Sequence, residues 1–288
     1  MAENEIEREI TADMTMEERW ASYHNMIAGL TIMSDIFARN VLKEKKCTEY
    51  LLETILGEEK VTVQEQVIQM DYKNLQGRSA VLDCVARDQK NRIINIEIQN
   101  EEEGATPKRA RYHSGLVDMN TLQSGQDFEE LLEKYIIFIT RDDVWKMNLP
   151  IYYIHRKISN TDKFFEDEEC ILYVNSRIQD DTKLGKLMHD LHCKRADEMY
   201  SKVLADRVRI LKETPEGVEL MCKEMDKIYN WGVRNGEQRG EQRGEQLGEI
   251  RSMKLIEKLM TADRMEECQR AIKDAAYRKR LMQEFGIQ

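Results

Sequence analysis

The sequence predicts an α/β fold of helix, three strands, helix and strand (αβββαβ), followed by a helical C-terminal extension. Three observations predict it. Residues 80–99, AVLDCVARDQKNRIINIEIQ, read as two strands joined by a polar turn. Residues 135–140, YIIFIT, form a continuous apolar run, the pattern of a strand buried on both faces. The stretches flanking these strands carry apolar residues at helical spacing.

Composition bounds the reading. The chain has 288 residues, 41% hydrophobic and 34% charged, enough for one large domain or for a domain plus a smaller appendage. Only 3 Pro and 14 Gly argue against long linkers. The net charge of −10 does not advertise a nucleic-acid binder, although DNA contact needs only a local basic patch. The six cysteines, at 47, 84, 170, 193, 222 and 268, include no CxxC pair, so no zinc ribbon or disulfide scaffold is indicated, and a cytoplasmic location is expected. Cys84 and Cys222 read as small core residues. The acidic start, MAENEIEREI, lacks the apolar region of a signal peptide, and no run approaches a membrane span.

Residues 1–30 predict a short helix packing through Trp20, Tyr23 and Met26. Ser34–Leu56 is helical, capped by Ser34 or Asp35, interrupted near Lys43–Cys47 and closed by Gly57. Val61–Asp71 reads as the first strand, with a break near Gln64–Gln66.

In the hairpin that follows, Ile94, Ile96 and Ile98 alternate with Asn95, Glu97 and Gln99, the period of a half-buried strand. The turn, Arg87–Asn91, favours chain reversal. Folding about Gln89 and Lys90 sets Asp83 opposite Glu97 with Gln99 on the same face, while Leu82, Cys84, Ile96 and Ile98 point into a core. Two facing carboxylates persist when a cation sits between them or when one is protonated. With the Ile98 carbonyl they suit Mg²⁺, or alternatively Mn²⁺; the other reading is a solvated hairpin face. Asn100–Glu103 is an acidic loop, expected to be a solvated turn. Thr106 and Pro107 start the next helix. Its first two turns carry Lys108, Arg109, Arg111, Tyr112 and His113, with Arg109, Tyr112 and His113 on one face. These cations either hold a phosphate beside the metal or neutralise Glu101–Glu103.

Asp83, then Glu97-Ile98-Gln99, then the helix with Lys108-Arg109-Ala110-Arg111-Tyr112 resembles the PD-(D/E)XK nuclease superfamily. The runs QGRSAVLDCVARD, NIEIQNEEEGATPKRARYHSGLVDMN, YIIFITRDD and LPIYYIHRKI more closely resemble the bacterial PD-(D/E)XK nuclease family transposases, relatives of the recombination-promoting nucleases, over residues 30–230. Two positions depart from the pattern: Leu82 stands for the usual Pro and Gln99 for the usual Lys. The resemblance implies a restriction-endonuclease-like core and a metal-dependent DNA endonuclease associated with transposition or recombination. It implies Asp83 and Glu97 as Mg²⁺ ligands with the Ile98 carbonyl, and Gln99 as the residue orienting water or the scissile phosphate. Arg109, with Lys108, Arg111 and Tyr112, would bind the DNA backbone, and Lys108 or Arg109 would replace the charge missing at Gln99. A first-helix acid, Glu49 or Glu53, is a candidate further ligand. The rival function is a catalytically weak DNA-binding or oligomeric scaffold; RNA is a further candidate substrate.

Ile151–His155 and Cys170–Asn175 read as later strands, and Lys183–Leu191 and Ala196–Lys212 as helices. His189, His192 and Cys193, around the end of the first of these helices, lack a zinc-site spacing and are expected as surface or core residues near a helix end. Thr214-Pro215-Glu216 starts another helix. Residues 236–248, GEQRGEQRGEQLG, place a glycine at every fourth position; as a helix this forms a stripe that suggests a homo-oligomeric contact, and otherwise it is a linker. Residues 249–285 read as amphipathic helices. The expected domains are residues 1–30, an N-terminal helical segment; 31–195, the nuclease-like domain; 196–235, a helical extension; and 236–288, the glycine repeat with its helices.

Overall fold

The structure is a computed structural model, and it describes residues 14–72, 78–100 and 104–287. The acidic loop expected at Glu101–Glu103 and the acidic start of the chain lie outside the described residues. The chain divides into two compact units, Met1–Met225 and Asp226–Gln288.

Helices α1 (Met16–Gly29), α2 (Asp35–Leu42) and α3 (Lys45–Leu56) come first. Thr15 and Glu18 form a capping box at the start of α1, satisfying otherwise orphaned N–H groups. Tyr23 and Ile27 are the buried residues of α1, whereas Met26 is exposed, because Ile27 lies one turn after Tyr23 on the same stripe. The break between α2 and α3 falls at Lys43–Glu44, and Gly57 closes α3 with φ +68°.

Strands β1 (Val63–Tyr72), β2 (Ala80–Asp88), β3 (Ile93–Gln99), β4 (Lys134–Thr140), β5 (Ile151–Ile154) and β6 (Glu169–Asn175) form one sheet in the order β1-β2-β3-β4-β6-β5. β1, β2 and β3 run antiparallel; β3, β4 and β6 run parallel; β5 pairs antiparallel at the edge. β4 is buried along nearly its whole length in the middle of the sheet, as its apolar run predicts. The expected break in β1 is a register shift between Val63 and Glu65. α4 (Pro107–Thr121) carries the chain from β3 across to β4, with Thr106 capping the Arg109 N–H and Pro107 at its start.

One face of the sheet presents Cys84, Ala86, Ile94, Ile96, Ile98, Ile137 and Ile139 to α1, α2, α3 and the later helices α5 (Lys183–His192) and α6 (Lys202–Glu213). On the other face Ile136, Phe138 and Tyr173 pack with Ala110, Leu116 and Val117 of α4. Leu82 is buried as expected, but it joins this second cluster rather than that of Cys84. The reason lies in the β1–β2 ribbon. Gln69, between the Ile68–Cys84 and Met70–Leu82 pairs, has φ +56°, and the inward-facing side of both strands changes at that point. A bulge-like irregularity of this kind re-aims side chains locally.

The far end of the hairpin is locked by charge. Arg92, 4% exposed, donates from Nε to Asp88 Oδ2 at 2.7 Å and from Nη1 to Glu58 Oε1 at 2.7 Å. Asp88 Oδ1 also accepts the Lys90 and Arg92 N–H groups, and Asn91 takes φ +64°.

The helix expected from Ala196 starts instead at Lys202. Asp190 accepts the Tyr200 and Ser201 N–H groups at 2.8 Å each, and Ser201 caps α6, so the preceding residues make only a short 3₁₀ turn. α7 (Pro215–Thr261) is a single helix that runs through the glycine repeat, so the repeat is helix rather than linker. In the second unit α8 (Met265–Lys273) and α9 (Ala275–Glu284) pack Cys268, Ala271 and Leu281 against Leu255 and Leu259. None of the six cysteines is in a disulfide and all are buried, Cys47, Cys84 and Cys222 completely.

Candidate active site

The site forms where β2 and β3 part. Their ladder pairs Cys84 with Ile96, the register the sequence predicts, and ends there. Beyond it the two carboxylates take over the bonding. The Asp83 N–H donates to Glu97 Oε1 at 3.2 Å, and the Ile98 N–H donates to Asp83 Oδ2 at 3.3 Å. Both polar groups of one strand residue point to the same neighbour. The Ile98 carbonyl therefore faces the β2 side, where Asp83 lies.

Glu97 is 1% exposed. Burial first, and then repulsion from Asp83, push its carboxyl well above the usual carboxylate range. Burial also raises Asp83, and the nearby charge of Asp35 raises it further. The Ile98 N–H, Arg39 and Arg109 act in the opposite direction on Asp83.

Arg109 joins the cluster from the first turn of α4. Its Nη2 lies 3.4 Å from Glu97 Oε2, its Nη1 donates to Gln99 Oε1 at 3.3 Å and to the Gly104 carbonyl at 3.1 Å. Gly104 is required here: a Cβ on it would sit 1.8 Å from Gln99 Cδ. Arg109 Nε donates to His113 Nε2 at 3.4 Å. That bond assigns the ring proton of neutral His113 to Nδ1, which lies 3.7 Å from Glu97 Oε1 and has no hydrogen-bond partner among the described residues. Burial, then the charges of Arg109 and Arg78, lower the His113 pKa to about 4, so the ring stays neutral near pH 7.

Asp83, Glu97, Ile98, Gln99 and Arg109 thus come together as the sequence suggests. Lys108, Arg111 and Tyr112 lie on the exposed side of α4, and the Tyr112 hydroxyl donates to the Arg78 carbonyl. Glu49 and Glu53 do not serve the site. Each accepts a backbone N–H at the start of β1, from Val63 at 2.9 Å and Val61 at 3.1 Å. The helix acid that acts on Asp83 is Asp35 at the start of α2, held by Arg39 Nε at 2.9 Å. Its position as a possible cap hid this second role. His113 was visible one turn beyond Arg109; only the packing of α4 over β3 shows that it faces Glu97.

The donor set suits a hard divalent cation. Two carboxylates, Glu97 buried and Asp83 half-buried, are bonded to each other's strands and held toward the protonated form; they face the half-exposed guanidinium of Arg109, with a third carboxylate near Asp83. Asp83, Glu97 and the Ile98 carbonyl would hold such an ion.

A separate group, His189, Asp190 and Cys193, brings three ligand-type atoms within 4.8 Å of one another. Its members have structural uses. Asp190 anchors the turn into α6, the Cys193 thiol donates to the His189 carbonyl at 3.4 Å, and burial raises that thiol to about 11. His192 contacts the Ser176 hydroxyl at 2.8 Å.

Residues 34–193 match the family model described as PD-(D/E)XK nuclease family transposase. No curated protein and no solved structure matches the chain.

Proposed function

The chain belongs to the PD-(D/E)XK nuclease family transposases, and from that membership we propose that it is a Mg²⁺-dependent DNA endonuclease acting in transposition or recombination. The observation that carries the reading is the cross-bonding of Asp83 and Glu97, with Arg109 bridging Glu97 and Gln99. A bound divalent cation, Mg²⁺ or Mn²⁺, would stabilise charge on a phosphoryl oxygen and lower the pKa of a bound water.

The residues divide the remaining work. Arg109, with two Nη groups directed at the site, holds a non-bridging oxygen of the scissile phosphate and stabilises the charge that grows there. It supplies the cation absent at Gln99. The Gln99 carboxamide accepts from Arg109 through Oε1, which leaves Nε2 to orient the phosphate or the attacking water. His113 stays neutral and buried, so it adds no positive charge beside Glu97. Lys108, Arg111 and Tyr112, on the exposed side of α4, contact flanking backbone phosphates.

No described helix is long and apolar enough to cross a membrane. Six buried cysteines outside any disulfide suit a reducing cytoplasm, where we place the protein. The glycine stripe of α7 is our candidate contact with a second copy.

The experiment is nicking of supercoiled plasmid with Mg²⁺ or Mn²⁺ by the full chain, Asp83→Ala and Glu97→Ala. Metal-dependent nicking by wild type and its loss in both folded variants is expected. Equal nicking by all three would refute the site. DNA binding that ignores chelator, with no nicking, would favour a scaffold that keeps the fold without the chemistry.

A further inference from the structure

We propose that the loop of residues 141–150 presses apolar side chains against the bases of DNA next to the scissile phosphate. This rests on the nuclease reading and extends it, by naming the surface that grips the substrate beside the carboxylates.

Four observations converge on the loop. The first is position. It leaves β4 beside Gln99: the Arg141 N–H donates to the Gln99 carbonyl at 3.0 Å, and Gln99 pairs with Thr140 across the sheet. The second is a row of side chains across the sheet. Glu97 pairs with Phe138, Phe138 with Tyr173, and Tyr173 with Tyr152. Ring contacts follow the same line. His113 and Phe138 have centroids 5.9 Å apart, Phe138 stacks on Tyr173 at 5.5 Å, and Trp145 meets Tyr173 edge-on at 5.7 Å. An unbroken aromatic row therefore joins the groups around Glu97 to Trp145.

The third observation is rigidity. The Asp143 carboxylate accepts the N–H groups of Trp145 at 3.1 Å, Lys146 at 3.0 Å and Asn148 at 2.7 Å, and the Tyr152 hydroxyl at 2.7 Å. The Tyr152 oxygen in turn accepts the Leu149 N–H at 3.2 Å. Lys146 and Asn148 both have φ +55°, a left-handed conformation unfavourable for side-chain-bearing residues and held here by the carboxylate. The fourth is display. Trp145 is 38% exposed, Met147 60% and Leu149 48%, so three large apolar groups face outward from an ordered loop. Exposed Arg141 and Lys146 flank them.

Scattered exposed apolar residues need no explanation, but a rigid group beside a catalytic site does. DNA suits it. Its bases offer apolar faces to Trp, and Met or Leu can wedge between base steps, while Arg141 and Lys146 meet the phosphates on either side.

The test measures binding of a duplex oligonucleotide carrying 2-aminopurine, with Ca²⁺ in place of Mg²⁺ to suppress turnover. The full chain is compared with W145A/M147A/L149A and, to leave the Trp145–Tyr173 contact intact, with M147A/L149A. The inference expects Kd to rise about tenfold or more in the triple variant. It also expects a smaller rise in the double variant, loss of the 2-aminopurine fluorescence change, and an unaltered Ca²⁺-induced thermal shift. In a W20F/W231F chain the emission of Trp145 should be quenched by the same DNA. Equal affinity of wild type and both loop variants, with Trp145 emission unmoved, overturns the inference while leaving the nuclease reading intact. Loop variants that lose self-association but bind DNA normally overturn it in favour of a second copy. A wild-type chain that neither binds nor nicks DNA removes the nuclease reading, and this inference with it.

Discussion

Asp83 and Glu97 each bond to the other's strand: Asp83 gives its N–H to Glu97 Oε1, and its Oδ2 accepts the Ile98 N–H. The pair does the work of the ladder that ends at Cys84 and Ile96, and it sets two carboxyl groups side by side where Glu97 is buried and Asp83 half-buried, so that ionising both is unfavourable. The metal-free protein should therefore respond to pH in a definite direction. A carboxyl with a folded pKa above its unfolded value, about 4, contributes stability that is complete below that value. The contribution is lost as pH rises through the raised folded pKa. We expect the Tm of metal-free protein to fall from weakly acidic to weakly basic pH. Mg²⁺ or Ca²⁺ should restore it, by about 2.7 kcal/mol at one hundred times Kd. Asp83→Asn and Glu97→Gln should flatten the slope and abolish the metal effect in thermal melts. A metal-induced shift that survives both substitutions would place the ion elsewhere.

Arg109 contacts both Glu97 and Gln99 and is the guanidinium of the site. Arg109→Ala should lower kcat by about 10²–10³, as expected for removal of a transition-state donor. Plasmid nicking under single-turnover conditions measures this.

Restoring the lysine common in the superfamily should not help by itself. Gln99→Lys puts a second cation within about 4 Å of Arg109, a clash on the order of 1–4 kcal/mol between water and a protein surface. Q99K should be slower than wild type, and Q99K/R109Q faster than Q99K. Activity that rises in Q99K alone would show that Arg109 does not occupy the role of the missing lysine.

Gly104 separates position from stability. A Cβ there meets Gln99 Cδ at 1.8 Å and Nε2 at 1.9 Å, the far end of a flexible side chain. Gly104→Ala should swing Gln99 out of the site and lower activity up to about 10²-fold, the scale of a misplaced reacting group. The Tm should change little.

Arg92 makes the opposite prediction. It is buried with Asp88 and bonded to Glu58 at the far end of the hairpin. Arg92→Ala leaves Asp88 buried without its cation and should cost about 3–5 kcal/mol in denaturant unfolding. Metal affinity of the molecules that remain folded should be close to wild type.

The glycine stripe can be tested separately. Among the described residues, added Cβ atoms at Gly236, Gly240, Gly244 and Gly248 meet nothing within 4 Å. Replacing all four with Ala should raise helicity, each contributing up to about 1 kcal/mol. If the stripe packs against a second copy, as we propose, the same variant should sediment with lower mass than wild type. Unchanged mass would remove the stripe from the contact.

Local patterns in the sequence determined much of this protein. Strict alternation in β3, the apolar run of β4, and Thr106-Pro107 at the start of α4 report backbone period and capping, which depend on neighbours in the chain. The hairpin register, and with it the meeting of Asp83 and Glu97, was legible because a two-strand ribbon with a short turn has few alternative pairings. Contacts between distant segments were decided only by tertiary structure. Glu49 and Glu53 had the same chemistry as Asp35, but the seating of α3 against β1 turned them to backbone N–H groups, while the start of α2 brought Asp35 near Asp83. The change of face at Gln69 that parts Leu82 from Cys84 follows from a left-handed residue, which no alternation pattern encodes. The row from Glu97 to Trp145 exists because strands far apart in sequence lie side by side in a parallel sheet, where register comes from the packing of the crossover helix rather than from any turn.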